Sequence, residues 1–109
     1  MLHNINRLHF VGIGGAGMSA VAKVLLAKGF AVSGSDISKS ETVERLRQLG
    51  AEIFLGHDAG NIRDAQVVVV STAIAGHNPE ILAAKERGIP VYHRADMVAA
   101  LMGERRGIA

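Results

Sequence analysis

Leu8-His9-Phe10-Val11-Gly12-Ile13-Gly14-Gly15-Ala16-Gly17-Met18 is the stretch whose reading decides the fold. Leu8 to Ile13 is a compact apolar run that reads as a strand and breaks into glycines. From Ala16 to Lys28, Met18, Val21, Ala22 and Leu25 then recur at helical spacing, and Gly29 stands where a left-handed cap would close the helix. Gly12, Gly14 and Gly17 form a G-x-G-x-x-G pattern with an additional Gly15, directly between that strand and that helix. In this context one glycine serves a tight turn, one lets the backbone approach an anion, and one lets the helix pack close to the strand. The amides of Gly14, Gly15, Ala16, Gly17 and Met18 are then expected to point at a pyrophosphate, aided by the helix dipole.

Outward from the loop, β-branched runs alternate with helical patterns. Phe30 to Ser35 reads as a second strand, and Asp36 follows it, 19 positions beyond Gly17. A carboxylate there suits the ribose hydroxyls of a nucleotide, or alternatively a cap on the next helix. Ser38 with Glu41 suggests a capping box opening a helix to Leu49, ended by Gly50. Ala51 to Leu55 gives a third strand and Gly56 to Asp64 a polar connection. Gln66 to Ser71 holds four consecutive valines, the mark of a central strand buried on both faces. Ser71 and Thr72 end it at the edge where ligands of open α/β sheets bind; their hydroxyls suit a phosphate, a sugar or a local turn.

Asn78, Pro79 and Glu80 have the order of an N-cap, a first-turn proline and an acid matched to the helix dipole, so a helix should run from Pro79 to Arg87 and stop at Gly88. Ile89 to His93 reads as a fifth strand, and Ala95 to Met102 as a last helix with Met97, Val98, Leu101 and Met102 on its core face. The expected fold class is α/β, a Rossmann-like open five-stranded parallel sheet with helices on both faces, forming one domain over residues 1–109.

Composition narrows the function classes. At 109 residues, 49% of them hydrophobic and 20% charged, the chain is sized for one soluble domain and is small for a complete two-substrate enzyme. It has no cysteine and hence no disulfide or thiolate site. A net charge of +2, scattered basic residues and no Trp argue against nucleic acid and membrane partners. No apolar run suits a signal or a bilayer span, so a cytoplasmic setting is expected. His57, His77 and His93 lack metal spacing, no acid pair has a recognisable spacing and no G-x-S-x-G elbow occurs. Neither a metal site nor a catalytic residue is therefore expected. The sequence also lacks G-x-x-x-x-G-K-[ST], so ATP hydrolysis by these residues is not expected.

The run His9 to Met18 resembles the opening of the Mur ligase family, in particular its alanine-adding members. Ser33-Gly34-Ser35-Asp36, Ser71-Thr72-Ala73-Ile74, Asn78-Pro79-Glu80, Ile89-Pro90-Val91 and Arg94-Ala95-Asp96-Met97 resemble the same family in the same order, so the likeness covers Leu8 to Ala109. It implies a first domain that holds the UDP part of UDP-N-acetylmuramate, with no cofactor of its own. Further domains, entered through an ATP loop just beyond Arg106-Gly107-Ile108-Ala109, would bind ATP, magnesium and L-alanine and join the amino acid to the lactyl carboxylate. The likeness implies that Gly14, Gly15, Ala16 and Gly17 cradle the pyrophosphate, Asp36 binds the ribose, Ser71 and Thr72 lie near the phosphates or amino sugar, and His57 lies near the uridine. Lys23 departs from the acid expected there. Other readings remain open: an NAD(P)-binding dehydrogenase domain, a nucleotide-sensing module, or the related ligase that attaches a recycled peptide to the same UDP sugar.

Overall fold

A computed structural model describes residues 5–97. Five strands form one parallel sheet in the order β3-β2-β1-β4-β5, with β1 at Arg7–Val11, β2 at Ala31–Asp36, β3 at Glu52–Leu55, β4 at Val67–Val70 and β5 at Val91–His93. Helix α1 (Ala16–Ala27) links β1 to β2, α2 (Glu41–Gln48) links β2 to β3, and α3 (Pro79–Glu86) links β4 to β5. A short 3-10 turn, Ala59–Ile62, interrupts the polar connection before β4. The chain winds outward from β1 through β2 to β3, then returns to lay β4 on the other side of β1. The winding therefore reverses between β1 and β4, and the connections leaving their carboxyl ends diverge to open a crevice there.

Alternation along the strands sorts the core into two layers. Leu8, Phe10, Val32, Val67 and Val69 pack with Met18, Ala22 and Leu25 of α1 and Val43 and Leu46 of α2. Val11, Val68 and Val70 pack on the opposite face with Ile62, Ile81 and Ala84. All four valines of β4 are buried, as a strand covered on both sides requires. The helix stops expected at Gly29, Gly50 and Gly88 fall at left-handed backbone, with φ of 94°, 113° and 74°.

Several boundaries differ from the sequence reading. β1 ends at Val11 because Gly12 turns left-handed (φ 79°), and the amides of Gly12 and Ile13 both donate to the Ser35 carbonyl, at 2.8 and 3.0 Å. The cap of α2 is Ser40, whose hydroxyl accepts from Val43 N at 3.2 Å, and not Ser38. Ser38 is held in the preceding loop, its amide donating to Asp36 Oδ1 at 3.1 Å, so Glu41 is the first helical residue and no capping box forms. The chain is helical over 94–97, and Met97 enters the core; Val98, Leu101 and Met102 lie outside the described residues.

Gly34, in the middle of β2, permits a close approach. A Cβ there would stand 2.5 to 2.9 Å from three Ile13 side-chain atoms, and Ile13 is wholly buried. Neither side chain has room to give way. Gly34→Ala is expected to destabilise the chain by about 1–3 kcal/mol through overpacking, measured by chemical denaturation against wild type; an unchanged midpoint would contradict this packing.

Candidate functional site

The glycine loop leaves β1 beside the crevice, and three neighbours fix its shape. Ile74, from the connection after β4, lies against Gly12, where a Cβ would approach its Cδ1 to 3.0 Å. Asp36 closes on Gly14: its Oδ2 accepts the Gly14 amide at 2.9 Å, and a Cβ on Gly14 would meet that oxygen at 2.7 Å. Arg94 lies over Gly17, where a Cβ would come within 2.6 Å of its Cδ and Nε. At Gly17 the space that a Cβ would take is occupied by an arginine side chain and not by the strand.

Of the five amides expected to face an anion, two have partners within the chain. Gly14 N donates to Asp36, and Gly15 N donates to the Gly12 carbonyl at 3.1 Å. Ala16, Gly17 and Met18 form the first turn of α1, whose N-cap, Gly15, supplies no side-chain acceptor, and the turn contains no acid. An exposed helix amino end carries partial positive charge from such amides. The arginine placed beside it adds a full one, so the loop rim concentrates positive potential where the sheet opens.

Asp36 ends β2 and accepts two amides, one on each oxygen, from Gly14 and Ser38. Each carboxylate oxygen keeps a further lone pair for a hydroxyl. Ser71 and Thr72 line a hollow of about 370 Å³ at the carboxyl ends of β4 and β5, together with His93, Arg94, Ala95 and Asp96. Arg94 thus joins the two sides of the crevice, touching the α1 amino end and lining this hollow. A separate hollow of about 200 Å³ at the amino edge of the sheet is lined by Arg7, Glu52, Arg63 and Asp64 among others. Its charges are matched: Arg7 with Asp64 at 3.4 Å and Arg63 with Glu52 at 3.2 Å. Lys23 is exposed on α1, away from the loop.

His57 does not stand apart on a loop. It belongs to a polar cluster centred on Glu80, which is fully buried although it opens α3. Glu80 Oε1 accepts from His9 Nε2 at 2.6 Å and from the Ser35 hydroxyl at 2.7 Å. Its Oε2 accepts from Asn61 Nδ2 at 2.9 Å and from the Asp58 amide at 3.1 Å, with His57 Nδ1 at 3.4 Å. His9 Nδ1 lies 2.8 Å from the Ser33 hydroxyl, and His57 Nδ1 lies 2.9 Å from that of Ser35. Burial pushes the Glu80 carboxyl up, but the hydrogen bonds from His9, Asn61 and Ser35, with the attraction of His9, outweigh it and hold the group down to about 2. Among the described residues no buried side-chain nitrogen or oxygen lacks a partner.

Glu80 is the first-turn acid of α3 that the sequence suggests, and the structure adds a second role as the centre of this cluster. The available signal was the alternation: His9 interrupts an apolar strand, and Ser33 and Ser35 share one face of the neighbouring strand. A buried imidazole on that face requires a polar partner. Ser33, His9 and Glu80 are linked in the order of a hydrolytic triad. The wholly buried His9 has no route for passing a proton to a leaving group, so the chain of bonds is structural.

This architecture defines the doubly wound α/β domains whose first strand runs through a glycine-rich loop into a helix at the point where the winding reverses. Residues 7–106 match the model of the Mur ligase family, catalytic domain, and the chain belongs to that family. It is 58% identical over all 109 residues to the UDP-N-acetylmuramate--L-alanine ligase of Nitratidesulfovibrio vulgaris, of which it covers 24%. Among solved structures it is similar to the UDP-N-acetylmuramate-alanine ligase MurC of Thermotoga maritima. That match has a TM-score of 0.86 at 39% identity and covers 90% of this chain and 23% of that one. It is also similar to the UDP-N-acetylmuramate:L-alanyl-gamma-D-glutamyl-meso-diaminopimelate ligase of Neisseria meningitides, with a TM-score of 0.74 at 27% identity, over 83% of this chain and 29% of that one. The chain spans about a quarter of the length of the curated relatives it matches. No helix among the described residues is long and apolar enough to cross a membrane.

The Glu80 carboxyl lies at about 2 in the folded chain against an ordinary 4.5, so its ionised form stabilises fully above about 4.5 and that contribution is lost as pH falls toward 2. Wild type is expected to lose stability steeply across that window. Glu80→Gln should be less stable at pH 7 by at least about 3 kcal/mol and should show a shallower acid limb. Thermal melts from pH 7 to pH 2.5 check both, and parallel acid limbs would contradict the assignment.

Proposed function

We propose that this chain holds the UDP part of UDP-N-acetylmuramate, within an enzyme that joins L-alanine to the lactyl carboxylate of that sugar at the expense of ATP. The observation that carries the reading is the α1 amino end, uncapped by any side chain and flanked by Arg94, at the crevice where the winding reverses. That arrangement suits a pyrophosphate, since helix amides and a guanidinium both favour a polyanion. The 58% identity to an alanine-adding ligase supports UDP over a nicotinamide cofactor as the nucleotide.

In this reading the amides of Ala16, Gly17 and Met18 take the phosphates, with Gly14 and Gly15 shaping the cradle and Arg94 closing it. Asp36 accepts from the ribose, Ser71 and Thr72 meet the phosphates or the amino sugar, and His57 lies beside the nucleoside. Ile37 and Leu55 flank Asp36 and are exposed, offering an apolar surface to a flat base. A carboxylate is a poor acyl donor until its oxygen becomes a phosphate leaving group, so the enzyme would first form an acyl phosphate, which the amine of L-alanine then attacks. The ATP loop is absent from this sequence. In this proposal ATP and magnesium are handled by the further domains of the enzyme. The share of this chain is anchoring, in which binding energy gained on the remote UDP orients the reacting carboxylate.

Titration with UDP-N-acetylmuramate, UDP, NAD and NADP, followed by amide NMR, tests the reading. Saturable shifts at Gly14 to Met18 and Asp36 are expected with the uridine ligands alone, and shifts confined to NAD or NADP would overturn it. Arg94→Ala is expected to weaken UDP binding by about tenfold or more, as loss of a charge-assisted contact does.

Gly15 separates ligand approach from packing. It is exposed, has φ −63°, and a Cβ there would make only ordinary contacts, the nearest 3.5 Å from the Gly12 carbonyl. Gly15→Ala is therefore expected to keep the wild-type melting temperature to within about 2 °C, as a substitution without strain does, and to lose UDP affinity. Unchanged UDP affinity in this variant would place the phosphates elsewhere.

A further inference from the structure

Gly17 is the second residue of α1, and its backbone is helical and not left-handed. Alanine suits such a position better than glycine, so the conformation of the chain does not call for a glycine there. Its neighbour does. The point where a Cβ would stand is 2.6 Å from Arg94 Cδ and Nε and 3.1 Å from Arg94 Cζ, so the arginine rests directly on the bare helix backbone.

Nothing else in the chain claims that guanidinium. Arg94 is exposed, and no hydrogen bond or ion pair to another described residue holds it. It lies on the positive end of α1, in a first turn that contains no acid. Two positive groups pressed together without a counter-charge repel until an anion comes between them.

The crevice also has a direction. Asp36, read above as the ribose partner, ends β2 on one side of the glycine loop. Arg94 follows β5 on the other side, where it lines the hollow with Ser71 and Thr72. A nucleoside diphosphate lying across the loop with its ribose at Asp36 brings its second phosphate, and not its first, toward Arg94.

We propose that Gly17 is a positioning residue: by lacking a Cβ it seats Arg94 on the first turn of α1, where the guanidinium takes the phosphate farther from the ribose and selects a nucleoside diphosphate over a monophosphate. The proposal rests on UDP occupying the crevice. The Gly17 amide is kept in alanine, so Gly17→Ala tests the missing Cβ alone. A methyl group beneath Arg94 meets a flexible side chain that swings aside, which spares the fold and removes the seat.

The seat is read first in the free chain, as a nuclear Overhauser contact between Gly17 Hα and the Arg94 Hδ protons; its absence in wild type overturns the proposal. A double-mutant cycle then reads the ligand role, with Gly17→Ala, Arg94→Ala and the two combined titrated with UDP and with UMP, and melted without ligand. Each single variant should bind UDP about tenfold more weakly, as for one lost charge-assisted contact, and bind UMP to within about twofold of wild type. In the Arg94→Ala background, Gly17→Ala should cost UDP nothing further and should melt no lower than Arg94→Ala alone, since alanine favours the helix once the arginine is gone. An equal UDP loss in both backgrounds means that the methyl obstructs the phosphate itself, and a lower melting temperature in the combined variant means that Gly17 serves helix packing; either overturns the proposal. UMP affinity falling in step with that of UDP overturns it as well. If wild type binds no UDP, the function proposed above fails together with the ligand role of Arg94, while the Overhauser contact and the melts still decide whether Gly17 seats the arginine.

Discussion

The structure depends on one buried carboxylate. Glu80 gathers hydrogen bonds from β1, β2 and the connection after β3 onto the first turn of α3, at a depth where an unpartnered charge would be prohibitively costly. Such a group tolerates little displacement, because losing any donor leaves a desolvated lone pair. It therefore ties the second helical layer to the two strands whose carboxyl ends frame the crevice. The apolar core supplies bulk attraction between layers, and the carboxylate supplies registration between them.

The glycine loop depends on the same ends of β1 and β2. The Ser35 carbonyl receives the amides of Gly12 and Ile13, the Ser35 hydroxyl serves Glu80, and the next residue, Asp36, clasps Gly14. Two adjacent residues thus couple the deep polar cluster to the rim of the crevice. Ile13 packs over Gly34 from the same turn, so the loop is fixed from below by packing and from the side by hydrogen bonds.

Much of this was legible in the sequence because it follows from period and punctuation. The valine run, the glycine loop and Gly29, Gly50 and Gly88 each report a local conformational need, and the parallel sheet follows from their alternation. What escaped was non-local. Ser38 and Ser40 are equally plausible caps until Asp36 is seen to take the Ser38 amide. Arg94 is 77 positions from Gly17, and no spacing rule links them. Glu80 fits its helix-start pattern well enough to conceal its second role, which depends on the opposite end of the chain. The family resemblance supplied the candidate position of His57 but said nothing of the bonds that orient it.

The bond between His9 and Glu80 spans 71 positions of sequence. During synthesis the glycine loop emerges well before the carboxylate that registers its supporting strands. The loop is thus specified first and set last. Until α3 docks, His9 is a polar side chain on an apolar strand with no partner, which weakens β1 in any partial structure. The order of events follows: a collapsed chain lacking α3 has the glycines in place but no fixed crevice, and the crevice takes its shape together with completion of the fold.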